Sequence, residues 1–306
     1  MVKFVNQFRT AYLSTPGLES QLVAELSGPL TQHGRLFLSP LEPQQAYWAA
    51  NIWKEVEQIP IQSIGNGAKE LKKRASLWVP YYESHIRRAK LIQSKLPRAP
   101  LKRLNFLQKI PETPLGSWTL LSENLILASS SCSSPRPNGE WEFNENKDEP
   151  PSRAYLKLWE FFTRFGVIPN SSQTCLEIGA APGGWTWVLS DLCQKVITYD
   201  RADLDQKIVE LSNVQHIRGD AFKVTPQTHP EVDWVFSDVI CTPERLYNWL
   251  QPWLSDDKPR NFCTTIKLKG DDYQVWLEKF TKIPNHRLVH LYHNKHELTF
   301  FLLNMI

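Results

Sequence analysis

The sequence predicts an α/β protein. Its C-terminal part, residues 150–306, reads as a doubly wound, mostly parallel Rossmann-like sheet with an antiparallel hairpin at its C-terminal edge, and a smaller α/β region precedes it. Three observations predict this. Apolar strand-like runs alternate with helical stretches after residue 150, one run ends in a glycine-rich turn that opens a helix, and successive runs end beside carboxylates. Strands alternating with helices imply parallel pairing through right-handed crossovers.

In order along that part, Ser152 to Phe165 reads as a helix and TCLEIGA as a buried strand running into the turn, with WTWVLSDLC as the next helix. KVITYD, VQHIRGDAF, DWVFSDVI and FCTTIKLKG read as further strands. HRLVHLYHNKHELTFFLLNMI reads as two strands around Asn294-Lys295. Upstream, RTAYLS reads as a strand, Thr15-Pro16-Gly17 as a turn, Leu18 to Leu26 as an amphipathic helix, and Leu36, Phe37 and Leu38 as a second strand. The segment 129–149 (SSSCSSPRPNGEW through NENKDE) is rich in Ser, Pro, Asn and acids and reads as a linker, which divides the chain into 1–149 and 150–306.

A chain of 306 residues is comfortable for two domains, and 42% hydrophobic content allows a sizeable core. The five cysteines are scattered without a CxxC pair, so neither a disulfide framework nor a zinc site is suggested, and reduced thiols in the cytoplasm are the simpler reading. The N-terminal residues carry no apolar signal region, and no run approaches a membrane span. The net charge of +3 hides an asymmetry: residues 69–103 hold eleven Lys or Arg against two acids. Interleaved Trp78, Tyr81 and Tyr82 add faces on which bases could stack, so the segment suits RNA docking. A solvated helix face is the plainer alternative.

The central motif is Glu177-Ile178-Gly179-Ala180-Ala181-Pro182-Gly183-Gly184-Trp185. Glycines let a main chain approach a ligand closely. The spacing is neither GxGxxG nor a P-loop, and the carboxylate of Glu177 argues against an anionic ligand. A zwitterionic, cationic group such as the methionine part of S-adenosylmethionine suits it, with helix-start amides for the ligand carboxylate and acids for its ammonium. Asp200, ending the second strand, would accept bonds from ribose hydroxyls. Asp220, after the third, suits an adenine amino group, although a Gly-Asp pair is also ordinary loop chemistry. Asp238, after the fourth, lies at the same sheet edge. A glycine-rich turn alone is usually just a turn; the four carboxylates behind it carry the cofactor reading.

Two lysines and a further acid remain. Lys157 lies on the first helix, Lys267 interrupts a buried strand, and Glu297 lies in the last strand. Burial depresses a lysine's pKa, as a general base at neutral pH requires, and Asp238 and Glu297 could pair with the lysines. The alternative is that Lys267 snorkels to the strand end in a structural ion pair.

PSRAYLKL, EIGAAPGGWTWVL, WVFSDV, TIKLK and LYHNKHELT, in that order, resemble the FtsJ-like RNA 2′-O-ribose methyltransferases, and among them the RlmM family, which methylates a cytidine ribose in bacterial large-subunit (23S) ribosomal RNA. The resemblance covers about Pro150 to Ile306. It implies a Lys-Asp-Lys-Glu tetrad, falling here on Lys157, Asp238, Lys267 and Glu297, with S-adenosylmethionine as cofactor and a THUMP-like RNA-docking module ahead of it. Here Glu177 stands where that family usually has Asp. Lys-Leu-Lys-Gly stands where it has Lys-Leu-Pro, which makes Lys269 a rival to Lys267. The N-terminal half is shorter and matches chiefly at TPGLESQLVAEL.

The reaction so implied is in-line attack of a ribose 2′-oxygen on a sulfonium methyl, without a metal. Lys267, neutral or nearly so, would take the hydroxyl proton; Lys157 would position the oxygen, and the two acids would tune the lysines. Alternatives are a 2′-O-methyltransferase for transfer RNA or a cap, and a non-catalytic RNA-binding or ribosome-assembly factor that keeps the cofactor pocket. A nicotinamide dehydrogenase fits the loop spacing poorly. The sequence leaves the oligomeric state and the target nucleotide open.

Overall fold

The computed structural model describes residues 7–99, 103–111, 114–258, 260–268 and 273–304. The chain forms two compact units: Met1–Leu104 with Lys109–Glu142, and Asn105–Gln108 with Phe143–Ile306. Lys269 and Lys102 lie outside the described residues.

The first unit begins with β1 (Thr10–Ser14), α1 (Glu19–Glu25), β2 (Thr31–His33), β3 (Leu36–Ser39), β4 (Ala49–Lys54), β5 (Glu57–Pro60) and α2 (Ile64–Lys72). It continues with β6 (Trp78–Pro80), α3 (Ile86–Gln93), β7 (Gly116–Ser122), β8 (Leu125–Ser129) and β9 (Ser131–Cys132). One sheet runs β2-β3-β1-β4-β9, wholly antiparallel; the other runs β5-β8-β7-β6, with β6 and β7 parallel. The second sheet shares a core with α2 and α3 built from Leu71, Trp78, Ile92, Trp118, Leu120 and Ile126.

The segment read as a linker is built into structure instead. β9 pairs with β4, and Ser134, Arg136, Trp141 and Phe143 are buried. The two units part after Glu142, inside that segment. Ser, Pro and Asn supply tight turns as readily as loose chain, so composition alone does not separate the two.

The second unit contains α4 (Tyr155–Phe165), β10 (Thr174–Ile178), α5 (Gly184–Ser190), β11 (Lys195–Asp200), α6 (Gln206–Val209) and β12 (Val214–Arg218). It ends with β13 (Trp234–Ser237), α7 (Pro243–Leu254), β14 (Asn261–Lys267), α8 (Tyr273–Thr281), β15 (Arg287–Val289) and β16 (Glu297–Leu302). Its seven strands lie in the order β12-β11-β10-β13-β14-β16-β15. The first five pair in parallel; β16 runs antiparallel to both β14 and β15. The sheet is therefore mixed α/β with a parallel centre, and the final hairpin places its second strand inside the sheet.

Local signals explain the elements that carry the site. β10, β13 and the middle of β14 are buried runs, as strands covered on both faces must be. α4 buries Leu156, Leu158, Phe161 and Phe162, and Gly166 ends it in the left-handed region at φ +70°. α7 starts with Thr242, whose side chain accepts the Arg245 N–H, followed by Pro243 in its first turn. β10 has β11 on one side and β13 on the other, so the chain order reverses there, and the cleft outside the carboxyl ends of those strands is where ligands bind in such sheets.

Candidate active site

The glycine-rich turn follows β10 at this reversal. Gly179 sits at φ +74°, and a Cβ on it would lie 2.6 Å from Val239 Cα. Gly183, at φ +110°, would meet Ile208, and a Cβ on Gly184 would lie 2.4 Å from Ser152 Oγ. The glycines thus clear neighbouring chain. Between them, the Gly183 N–H donates to Ala180 O at 2.6 Å, the Asp205 N–H donates to Pro182 O at 3.0 Å, and the Ala181 N–H donates to an Asp200 oxygen at 3.0 Å. The Ala181–Pro182 peptide is cis.

Glu177 and Trp185 of the motif point inward. Glu177 is 1% exposed, accepts the Thr186 hydroxyl at 2.6 Å, and is pushed by burial up to about 8, so at neutral pH it is mostly protonated. It is a core acid and not the open carboxylate that its place at the loop start suggested. Trp185 is 2% exposed; its indole N–H donates to Ala154 O at 2.9 Å and ties α5 to the start of α4. Its side chain anchors the helix.

Asp200 and Asp220 do meet at the open edge. They line a cavity of about 170 Å³ together with Gly179, Phe222, Val239, Ile240, Arg201 and Arg245. Asp200 accepts the N–H groups of Ala181 and Ala202, which fixes its carboxylate and leaves further lone pairs for a ligand. Asp220 accepts the Phe222 N–H, with Arg201 and Arg245 each 3.5 Å away; these hold its carboxyl below the usual range. The Arg245 guanidinium lies over the Phe222 ring at 3.9 Å.

The four chemistry-bearing residues close into a ring. Lys157 Nζ, from α4, is 3.0 Å from both Asp238 oxygens and 2.6 Å from Glu297 Oε1. Lys267 Nζ, at the end of β14, is 2.7 Å from Asp238 Oδ1 and bonds the other Glu297 oxygen. Each ammonium therefore touches both carboxylates. The side chains are 6–16% exposed, so the ring is screened from water but reachable. Asp238 adjoins Val239, the residue against which Gly179 packs, so ring and turn share one edge.

The charges follow from this geometry. Burial would raise the Asp238 pKa, but Lys157 and Lys267 outweigh it and hold the carboxyl below its ordinary value. Burial would lower the Lys267 pKa, but Asp238 and Glu297 outweigh it and hold the amine above its ordinary value. Against the expectation of a neutral Lys267, the two carboxylates outweigh desolvation in the free protein. Lys267 ends β14 in ion pairs with both acids, as the structural alternative also has it, and its side chain is mostly covered.

Some contributors went unread. The Thr265 hydroxyl donates to Asp238 Oδ1 at 2.7 Å; its place two residues before Lys267, on the same strand face, was the available signal. Glu160, fully buried on α4, accepts the N–H groups of Tyr292 and His293. Arg201 and Arg245 left no local signal, because they converge from the chain after β11 and from the first turn of α7.

In the first unit, Trp78 and Tyr81 are 1% and 6% exposed, so neither offers a stacking face; only Tyr82 is open. The Trp78 indole N–H lies within hydrogen-bond reach of the carbonyls of Leu71 and Ala75. Lys69, Lys72, Lys73 and Lys95 face a hollow floored by Gly65 and Ala68. Among the described residues no helix is long and apolar enough to cross a membrane.

Residues 150–252 match the model of the FtsJ-like methyltransferases. The span holds Lys157, the turn, Asp200, Asp220 and Asp238; Lys267 and Glu297 lie beyond it. The ribosomal RNA large subunit methyltransferase M of Xylella fastidiosa (strain M12) is 33% identical over 171 residues, covering 51% of this chain and 48% of that protein. Its namesake from Xanthomonas oryzae pv. oryzae (strain PXO99A) is 28% identical over 296 residues, covering 91% and 78%. The chain thus spans about half the length of the first relative and more of the second. A putative ribosomal RNA methyltransferase from Plasmodium falciparum is 16% identical, covers 49% of this chain and 94% of its own, and has a TM-score of 0.37. By the sequence matches, residues 150–252 are similar to the FtsJ-like methyltransferases, those of the RlmM type among them.

Proposed function

We propose that this protein transfers a methyl group from S-adenosylmethionine to the 2′-oxygen of a ribose in RNA, with a cytidine of bacterial large-subunit ribosomal RNA as the target. The observation that carries the reading is the closed ring of Lys157, Asp238, Lys267 and Glu297 at the same sheet edge as the turn. The names of the relatives support the ribosomal target.

The residues at that edge fit the cofactor. Asp200 has free lone pairs for ribose hydroxyls, Asp220 offers an acceptor for an amino group, and Phe222, Val239 and Ile240 give apolar faces for a purine. When bound, the cofactor supplies a methyl group already activated on a sulfonium. The protein's task is then to align and deprotonate an oxygen. Lys157 and Lys267 direct N–H groups toward a 2′-oxygen and stabilise the negative charge that develops on it. The 2′-proton passes to Lys267 in the small fraction of molecules where that amine is neutral, and Asp238 and Glu297 hold the resulting ammonium in place. The first unit docks the RNA backbone through the basic segment, with Lys69, Lys72, Lys73 and Lys95 foremost, and serves as the THUMP-like module.

The test is Lys267→Ala. Methyl transfer should fall by about 10²–10⁴-fold, while calorimetric binding of S-adenosylmethionine persists. Undiminished transfer would end the proposal. Mapping 2′-O-methylation across ribosomal RNA in cells with and without the protein identifies the nucleotide.

A further inference from the structure

We infer that Glu160 is a positioning residue for the ring: it ties the turn leading into β16 to α4 and so sets Lys157 against Glu297. Sheet register already places Lys267 opposite Glu297, because β14 and β16 pair there. It cannot place Lys157, which comes from a helix outside the sheet. Glu160 lies one helical turn beyond Lys157 on α4, on the same side. Its oxygens accept separate backbone donors, Tyr292 N–H at 2.9 Å and His293 N–H at 3.1 Å.

The turn that it holds is stiff in its own right. The Asn294 N–H donates to Leu291 O at 2.9 Å, Asn294 Nδ2 donates to Thr299 Oγ1 at 3.0 Å, and His290 Nε2 meets Lys295 O at 2.8 Å. A stiff turn bonded at two points to α4 passes the helix's position on to Glu297, which opens β16. Phe161 and Phe165 of α4 also pack on Phe301 of β16. Apolar packing tolerates sliding; two hydrogen bonds from separate backbone donors to one side chain fix direction as well as distance. A 0% exposed carboxylate is costly to keep, and Arg164, 3.7 Å away on the same helix, offsets only part of that cost.

Glu160→Gln tests the inference. The amide can accept one N–H but turns a donor toward the other. In the folded variant kcat should fall at least tenfold, while KM for RNA and for S-adenosylmethionine stays within twofold. Independently of any reaction, the Lys157 ε-ammonium, followed by heteronuclear NMR, should exchange its protons with water faster than in the wild type, because Glu297 is no longer set against it. The kinetic arm rests on the proposed function and the NMR arm does not. A wild type that methylates no RNA would therefore count against that function alone. A folded variant with wild-type kcat, or with unchanged Lys157 proton exchange, overturns the inference. If Glu160→Gln does not fold, Glu160→Asp decides: it keeps the charge, retracts the carboxylate, and should shift both readouts the same way. Wild-type behaviour there overturns the inference too.

Discussion

Lys267 stands between two carboxylates, and its charge state follows from that position. A base that must be neutral to act, yet whose pKa is held above the ordinary lysine value near about 10.4, is scarce at neutral pH. For the proposed reaction, kcat/KM should therefore keep rising with pH between 6.5 and 9.5, since this ratio reports the free enzyme's essential groups. A plateau reached by pH 8 would show that another group takes the proton. The ring's membership was legible in the sequence because lysine within a buried apolar strand demands partners. Its net effect on charge was not, since the balance of desolvation against two anions depends on distances of 2.6–3.0 Å that no spacing reveals. Glu177 and Trp185 show the opposite failure: both sit in the motif, but the turn of β10 into α5 directs them into the core.

At the scale of the element, α2 presents its basic face while its other side packs on Trp78 and Trp118. Replacing Lys69, Lys72, Lys73 and Lys95 by Gln should weaken RNA binding and flatten its dependence on salt. The slope of log K against log salt should drop by about 0.7–0.9 for each phosphate that the variant no longer neutralises. An unchanged slope would move the docking face elsewhere. The charge of this segment was readable from composition. Which aromatics stayed exposed was not: Trp78 and Tyr81 lie on and just after a short strand whose burial depends on α2, α3 and β7. Segment 129–149 was misread for a related reason, because β9 gains its order from pairing with β4, far away in sequence.

Across the whole molecule, buried acids set how stability varies with pH. Glu160 and Glu177 are raised by burial to about 7 and about 8, so the folded state holds protons that the unfolded chain, with carboxyls near about 4.3, has released. Stability from these groups is present at mildly acid pH and lost as pH rises through their folded values. Asp238, held low, acts oppositely, but only as pH falls toward about 4. The thermal midpoint should thus decline between pH 5.5 and 8.5. Glu177→Gln should flatten that decline and melt above the wild type at pH 8.5; a wild-type midpoint that climbs over this range would contradict the assignment. The alternation of strands and helices made the parallel centre of the sheet legible, whereas the insertion of β16 between β14 and β15 depends on pairings that span the unit. The closed ring also has a bearing on descent. Because every ammonium touches both carboxylates, any single replacement strands a buried charge, at a cost of about 3–5 kcal/mol against a total stability of about 5–15. Mutational drift through such intermediates is opposed by lost stability as well as by lost catalysis. Lineages that abandon the reaction should therefore shed these residues as oppositely charged couples, and inherit them otherwise as an indivisible set.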